Sequence, residues 1–163
     1  MKVVIISGSA RKDGDTSKIV DILTSCLDSF HVDLNDYKIS YYDYEHQNRC
    51  DDFIPLMRQL VDEYDVFLLV TPVYWYSMSA IMKTFIDRFT DLITIEKELG
   101  RRLREKSMLV LSSSNGSNLG DNFWLPFSES ANYLGISYLG NLHIIIDEHT
   151  EEHIRKFLES IKF

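Results

Sequence analysis

Three short apolar runs limit what this chain can fold into: Val3 to Ile6, Val66 to Val70 and Met108 to Leu111 carry no polar residue on either face. A strand that is apolar on both faces must be covered on both, as inside a parallel sheet between two helix layers. The segments between the runs supply those layers. Ile19, Val20, Leu23, Cys26, Leu27 and Phe30 recur at i, i+1, i+4, i+7, i+8 and i+11, predicting a first helix. Tyr37 to Tyr42 reads as a second strand of mixed pattern, and Phe53, Met57, Leu60, Val61 and Tyr64 mark a second helix. The third strand, Val66 to Val70, is expected to halt at Thr71-Pro72. Met78, Ile81, Met82, Phe85, Ile86, Phe89 and Ile93 form the longest helix stripe, expected to end near Gly100. Met108 to Leu111 is the fourth strand. A helix within Asn122 to Leu134 has Pro126 in its first turns and Gly135 as its stop. Ile136 to Ile146 carries a fifth strand bulged at Gly140, and Thr150 caps a last helix striped by Ile154, Phe157, Leu158 and Ile161. Strands and helices in this alternation predict an α/β fold: a five-stranded parallel sheet with helices on both faces. With no linker or repeat visible, residues 1–163 are expected to form one domain.

Composition narrows the class. The 17 Lys plus Arg against 25 Asp plus Glu leave a formal charge of −8, which argues against a surface built to release counterions from nucleic acid. Two cysteines, Cys26 and Cys50, are too few for a disulfide framework and suit a reducing compartment. The first apolar run breaks at Ser7-Gly8-Ser9, too short for a signal segment or a span of about 20 residues. The expectation is a cytoplasmic protein without a membrane or nucleic-acid partner.

In open parallel sheets ligands bind beyond the carboxyl ends of the strands, where strand order reverses. Three loops there carry unusual residues. The first is Ser7-Gly8-Ser9-Ala10-Arg11-Lys12-Asp13-Gly14-Asp15-Thr16-Ser17. Hydroxyls at Ser9, Thr16 and Ser17, the amides of a helix start and the Arg11 guanidinium suit a terminal phosphate. Neither GxxxxGK[ST] nor GxGxxG is present, so a phosphomonoester fits better than a pyrophosphate. The third-strand loop, Thr71-Pro72-Val73-Tyr74-Trp75-Tyr76-Ser77-Met78-Ser79, places three aromatics in a row. Such rings wall a planar heterocycle, while any one of them could equally be core or interface. The fourth-strand loop is the polar run Ser112-Ser113-Ser114-Asn115-Gly116-Ser117.

The stretch from Gly8 to Lys18 resembles the phosphate loop of the NAD(P)H-dependent FMN reductase family of flavodoxin-like proteins. Thr71 to Ala80, continuing through Lys83, Phe85, Ile86, Asp87 and Arg88, is similar to that family's flavin-ring loop and following helix, closest to the branch holding the iron-sulfur flavoproteins. The resemblance implies a flavodoxin-like three-layer sandwich with strand order 2-1-3-4-5. It implies that Ser9, Arg11, Asp15, Thr16 and Ser17 hold an FMN phosphate, and that Pro72, Val73, Tyr74, Trp75 and Ser77 line the isoalloxazine. By position, Ser113, Ser114, Asn115 and Gly116 close the far side. It further implies NAD(P)H as co-substrate, hydride transfer through flavin N5 to a small-molecule acceptor such as a quinone, flavin, nitro or azo compound, and a homodimer. On that reading the flavin carries the chemistry and no catalytic side chain is needed. A flavodoxin-like electron carrier and a non-redox phosphate-ester module are the alternatives.

One departure from the iron-sulfur branch is plain. Where those members carry a cysteine cluster, this chain has Tyr42 to Asp52 with Cys50 alone, whereas a cubane takes four thiolates. No metal is expected. His149 and His153 lie four apart but have no third ligand spaced with them, and Arg101, Arg102, Arg104 and Lys106 read as a solvated connection.

Overall fold

The computed structural model describes residues 1–161, so the last two positions of the expected domain lie outside the described residues. Five parallel strands, β1 (Val3–Ser7), β2 (Ser29–Asp33), β3 (Val66–Tyr74), β5 (Ser107–Ser113) and β6 (Ser137–Ile144), form a sheet in the order β2-β1-β3-β5-β6. A two-residue strand, β4 (Ser77–Met78), turns back antiparallel on the tip of β3. Leaving that hairpin aside, the order is the expected 2-1-3-4-5 of a flavodoxin-like sandwich.

Strand alternation sorts the core into two layers. Val4, Ile6, Phe67, Leu69, Met108 and Val110 face one cluster, covered by α2 (Phe53–Glu63), α3 (Ala80–Asp87), α4 (Phe89–Thr94), α5 (Lys97–Arg101) and α6 (Leu125–Leu134). Val3, Ile5, Leu68, Val70, Leu109 and Leu111 face the other, under α1 (Asp15–Cys26) and α7 (Thr150–Ser160). Among the described residues no helix is long and apolar enough to cross a membrane.

The structure corrects four sequence expectations. The second strand is Ser29–Asp33, not Tyr37 to Tyr42: α1 ends at Cys26, and Phe30, which matched the helix period, pairs with Val4 in the β1–β2 ladder instead. As an edge strand it buries Val32 while Phe30 stacks on Tyr64, so the strand reads as weakly apolar. The Tyr37 to Tyr42 segment is irregular, held by Asp52 accepting from the Lys38 amide and Asp51 from the Ser40 amide. Second, the long stripe from Met78 is three short helices. Gly100 does not stop it but lies inside α5, where the Leu92 carbonyl leaves no room for a Cβ. Third, β3 runs through Pro72 to Tyr74. The Val70 carbonyl accepts from the Gly8 amide on the β1 side, and by alternation Pro72 faces that side past the last β1 pair, so no ladder bond is lost. Fourth, α7 begins at Thr150 itself, whose hydroxyl accepts from the Asp147 amide rather than capping the helix. The α6 stop at Gly135 and the bulge beside Gly140 are as expected.

Candidate functional site

The carboxyl ends of β1, β3 and β5 meet at the point where strand order reverses, and two loops there are stapled together. Ser79, the N-cap of α3, accepts from the Met82 amide at 3.1 Å and donates to the Gly8 carbonyl at 2.7 Å. Its own amide donates to Thr71 Oγ1 at 3.1 Å. A Cβ on Gly8 would stand 3.1 Å from the Met82 nitrogen, so glycine lets the first loop lie directly against α3.

Around this staple is a cleft of about 120 Å³ lined by Ser9, Arg11, Asp15, Thr16, Pro72, Val73, Tyr74, Ser113, Ser114 and Asn115. Three loops distant in sequence thus bring their singled-out residues together. Its floor is polar and buried. Ser9, Thr16 and Ser113 are 8%, 4% and 3% exposed. Their mutual contacts are long: Thr16 Oγ1 stands 3.5 Å from Ser113 Oγ, and Ser9 Oγ accepts from the Arg11 amide at 3.3 Å. Gly14 precedes α1 with no side-chain cap, leaving first-turn amides for another acceptor. Arg11 lies over Gly14, its Nε 3.6 Å from where a Cβ would sit, with the guanidinium at the rim. Ser17 is differently placed, since its hydroxyl donates to the Gly14 carbonyl at 2.7 Å.

A second cleft of about 350 Å³ adjoins the first, sharing Val73 and Ser114 and adding Trp75, Tyr76, Gly116, Asn118 and Leu119. That volume lies within the roughly 300–1,000 Å³ of small-molecule sites. One wall is the β3–β4 hairpin. Tyr74 pairs with Ser77 across a two-residue turn in which Trp75 and Tyr76 take φ of 50° and 62°. Such a turn ordinarily holds Asn-Gly, and left-handed backbone is strained for bulky residues. The rings gain no cover for it: Trp75 is 95% exposed and Tyr76 73%. Ser77 is exposed on β4 and lines neither cleft.

Asn118 and Leu119 line the outer cleft without having been singled out in the sequence, beside Tyr76 of the three adjacent aromatics; His143, also not singled out, lines neither cleft, but its ring contacts Ser114. Only the β5–β6 register, which sets His143 opposite Ser112, could have pointed to the histidine.

At the C-terminal end of α3 lies a closed ionic cluster. Arg88, fully buried, donates from Nε to Asp91 at 2.7 Å, from Nη1 to Asp51 at 2.5 Å, and from Nη1 to the Ser40 carbonyl at 2.9 Å. Its guanidinium covers the Phe53 ring at 4.8 Å, and His46 Nδ1 reaches Asp91 at 2.9 Å. Burial alone would push the Asp51 carboxyl up, but hydrogen bonds from Arg88 and from the Ser40 and Phe53 amides outweigh it and hold the group below its ordinary value. Cys50 is exposed at the edge of this segment, and Cys26 is half-buried on α1. Of the basic stretch, Arg101 pairs with Glu98, Arg102 with Asp62, and Lys106 donates to the Tyr64 carbonyl. Among the described residues no group of three or more His, Cys, Asp or Glu is arranged to hold a metal.

Comparison with known proteins adds to this geometry. A family model described as NADPH-dependent FMN reductase matches residues 1–151. YwqN of Bacillus subtilis, whose name gives an NAD(P)H-dependent FMN-containing oxidoreductase, is 22% identical over 150 residues, covering 86% of this chain and 82% of that one. An iron-sulfur flavoprotein of Archaeoglobus fulgidus is 33% identical over 99 residues, 54% of this chain and under half of that relative, 45%. Among solved structures, an NADPH-quinone reductase of P. pentosaceus superposes with a TM-score of 0.73 at 14% identity, covering 99% of this chain and 98% of that one. General stress protein 14 of Treponema denticola, solved in complex with FMN, gives 0.67 at 16% identity, covering 98% and 97%.

Proposed function

The chain belongs to the NADPH-dependent FMN reductase family, and from that premise we propose that it binds FMN across the two clefts and passes hydride from NAD(P)H to a small-molecule acceptor. The observation that carries this reading is the continuity of the clefts through Val73 and Ser114: a buried, hydroxyl-lined pocket of phosphate size opens into a longer one with aromatic walls. The donor set suits a phosphomonoester. Ser9, Thr16 and Ser113 offer hydroxyls whose present contacts are long, α1 offers first-turn amides, and Arg11 supplies a positive charge at the rim. Bound there, FMN supplies a ring that accepts hydride from a reduced nicotinamide and returns it to the acceptor.

The chain's own residues bind and orient. The small cleft would hold the phosphate end of the cofactor, Pro72, Val73 and Tyr74 would line the ring, and the Ser114-to-Gly116 turn would close the far side. Trp75 and Tyr76, uncovered on the hairpin, offer flat apolar surface that excludes water from the ring. The iron-sulfur relative's cluster has no counterpart, because the sequence holds only Cys26 and Cys50.

The homodimer belongs to the same reading. A groove between α4–α5 and α6 has Ile93, Tyr133 and Leu134 at its centre, Lys97, Arg101 and Arg104 toward one end, and Asp87 and Glu129 toward the other. A two-fold axis through Tyr133 sets the basic end of one copy on the acidic end of the next. Glu129→Arg is expected to move the sedimentation coefficient from dimer to monomer; a monomeric wild type overturns the assignment.

The decisive experiment is an absorbance spectrum of protein incubated with FMN and desalted, followed by nicotinamide oxidation with quinone, flavin, nitro and azo acceptors. A retained flavin spectrum with acceptor-dependent turnover is expected. Retained flavin inert to NADH and NADPH turns the protein into an electron carrier, and a colourless product overturns FMN binding.

A further inference from the structure

His143 on β6 has a placement that the reading above leaves unexplained. It is half-buried, stands opposite Ser112 in the β5–β6 register, and is engaged at both ring nitrogens. Nδ1 lies 2.8 Å from Ser112 Oγ, and Nε2 lies 3.0 Å from Ser114 Oγ and 3.2 Å from the Gly116 carbonyl. A carbonyl can only accept, so Nε2 carries a proton, and in the neutral ring Nδ1 then accepts from the Ser112 hydroxyl. The ring therefore has one end fixed to a fully buried strand residue and the other on a loop.

That loop has few other fastenings. Residues 114 to 120 form no helix or strand, and Asn115, Gly116, Ser117 and Asn118 are exposed. A Cβ on Gly116 would meet nothing within 4 Å. Within the turn, Ser114 Oγ donates to the Gly116 carbonyl at 2.9 Å and accepts from the Gly116 amide at 3.3 Å. The Ser114 amide reaches the Ile144 carbonyl at 3.3 Å. The imidazole N–H completes the turn from outside. A useful contrast stands at the opposite edge of the sheet, where His31 Nε2 meets Ser7 Oγ at 2.8 Å but the ring is exposed and bridges to no loop.

We propose that His143 is a positioning residue for the cofactor site: as the neutral Nε2–H tautomer it ties the Ser114–Gly116 turn to β5 and so sets the wall shared by the two clefts. Ser114 lines both clefts and Gly116 the outer one, so a shift of this turn changes the width of the site along its length. His143 lines neither cleft and acts through the turn. The proposal rests on the FMN reading for the occupant of the clefts, while the tie itself is a property of the protein without FMN.

The test uses His143→Phe, which keeps a ring and removes both polar contacts, and His143→Gln, which restores a side-chain N–H donor. In the apo wild type, ring 15N spectra should show the neutral Nε2–H tautomer; an Nδ1–H ring overturns the tie as drawn. Hydrogen exchange of the 114–119 amides in apo His143→Phe should rise about tenfold or more while α1 and α7 keep wild-type protection, with His143→Gln recovering most of it. Unchanged exchange overturns the tie. FMN affinity, read by flavin fluorescence, should fall about tenfold in His143→Phe and recover in His143→Gln. A loosened turn with unchanged affinity overturns the positioning role. Should His143→Phe fail to fold, Ser112→Ala frees the ring from β5 while leaving the turn's own bonds in place, and is read by the same exchange and affinity measurements. If wild type takes up no FMN, the functional reading fails, and the spectra and exchange still decide the tie.

Discussion

Two buried polar clusters flank α3, and they are built on opposite principles. At the helix's C-terminal end, Arg88 spends its donors on Asp51, Asp91 and the Ser40 carbonyl at 2.5 to 2.9 Å. At the cleft, by the helix's N-terminal end, Thr16 and Ser113 stand 3.5 Å apart and the Ser9 hydroxyl holds one contact at 3.3 Å. The first cluster is complete without anything else. The second keeps buried hydroxyls, a rim cation and helix amides at distances where a ligand oxygen would be the better partner. A closed cluster serves the fold and an open one serves binding, so the same kind of substitution should register in stability for one and in affinity for the other.

The largest effect expected is therefore on the closed side. Arg88→Ala leaves Asp51 and Asp91 without their cation and should cost about 3–5 kcal/mol of folding stability, read by denaturant unfolding. The pH dependence follows from Asp51, whose carboxyl is held below its ordinary value. Its contribution is fully present above about pH 4, the unfolded value, and is lost as pH falls through the lower folded value. The stability gap between wild type and Asp51→Asn should shrink on acidification through that window. A constant gap would break the link between this carboxylate and the fold.

On the open side, Arg11→Ala should leave the unfolding midpoint nearly unchanged, because the residue is exposed, and should weaken FMN binding by about 1.5–3 kcal/mol in calorimetry. A loss of stability with unchanged affinity would place Arg11 in the wrong cluster.

How much of this was legible differs by element in the same way. The apolar runs of β1, β3 and β5 announce themselves because those strands are covered on both faces. The edge strand β2 does not: Ser29, Phe30, His31 and Asp33 are partly exposed, and only the ladder with β1 decides their conformation. Ser9, Arg11 and Thr16 were visible as a strand-loop-helix motif, and Trp75 as one of three adjacent aromatics. His143 was not, since one histidine in a strand carries no local signal until its neighbour strand is known. The Arg88 cluster was hidden for the same reason, joining residues 37 positions apart in sequence, from Asp51 to Arg88.

The hairpin gives a smaller and oppositely signed effect. Trp75→Asn with Tyr76→Gly replaces two bulky left-handed residues by the pair that this turn favours, and the exposed rings forfeit little packing. Apo stability should rise by about 1–2 kcal/mol while flavin retention falls. A variant that gains no stability would show that the backbone there is relaxed.

A small stability change is likewise expected of Thr16→Val, and this variant discriminates most sharply between the two clusters. Valine keeps the shape of the buried threonine and removes a hydroxyl whose recorded contact is 3.5 Å long. Little is lost in the fold, so unfolding should shift by no more than about 0.5 kcal/mol. If the hydroxyl is held in reserve for a phosphate oxygen, FMN affinity should fall several-fold in the same variant, beyond what the stability change accounts for. Were stability to drop by a few kcal/mol instead, the cleft hydroxyls would belong with Arg88 as a closed structural set, and the division between the two ends of α3 would dissolve.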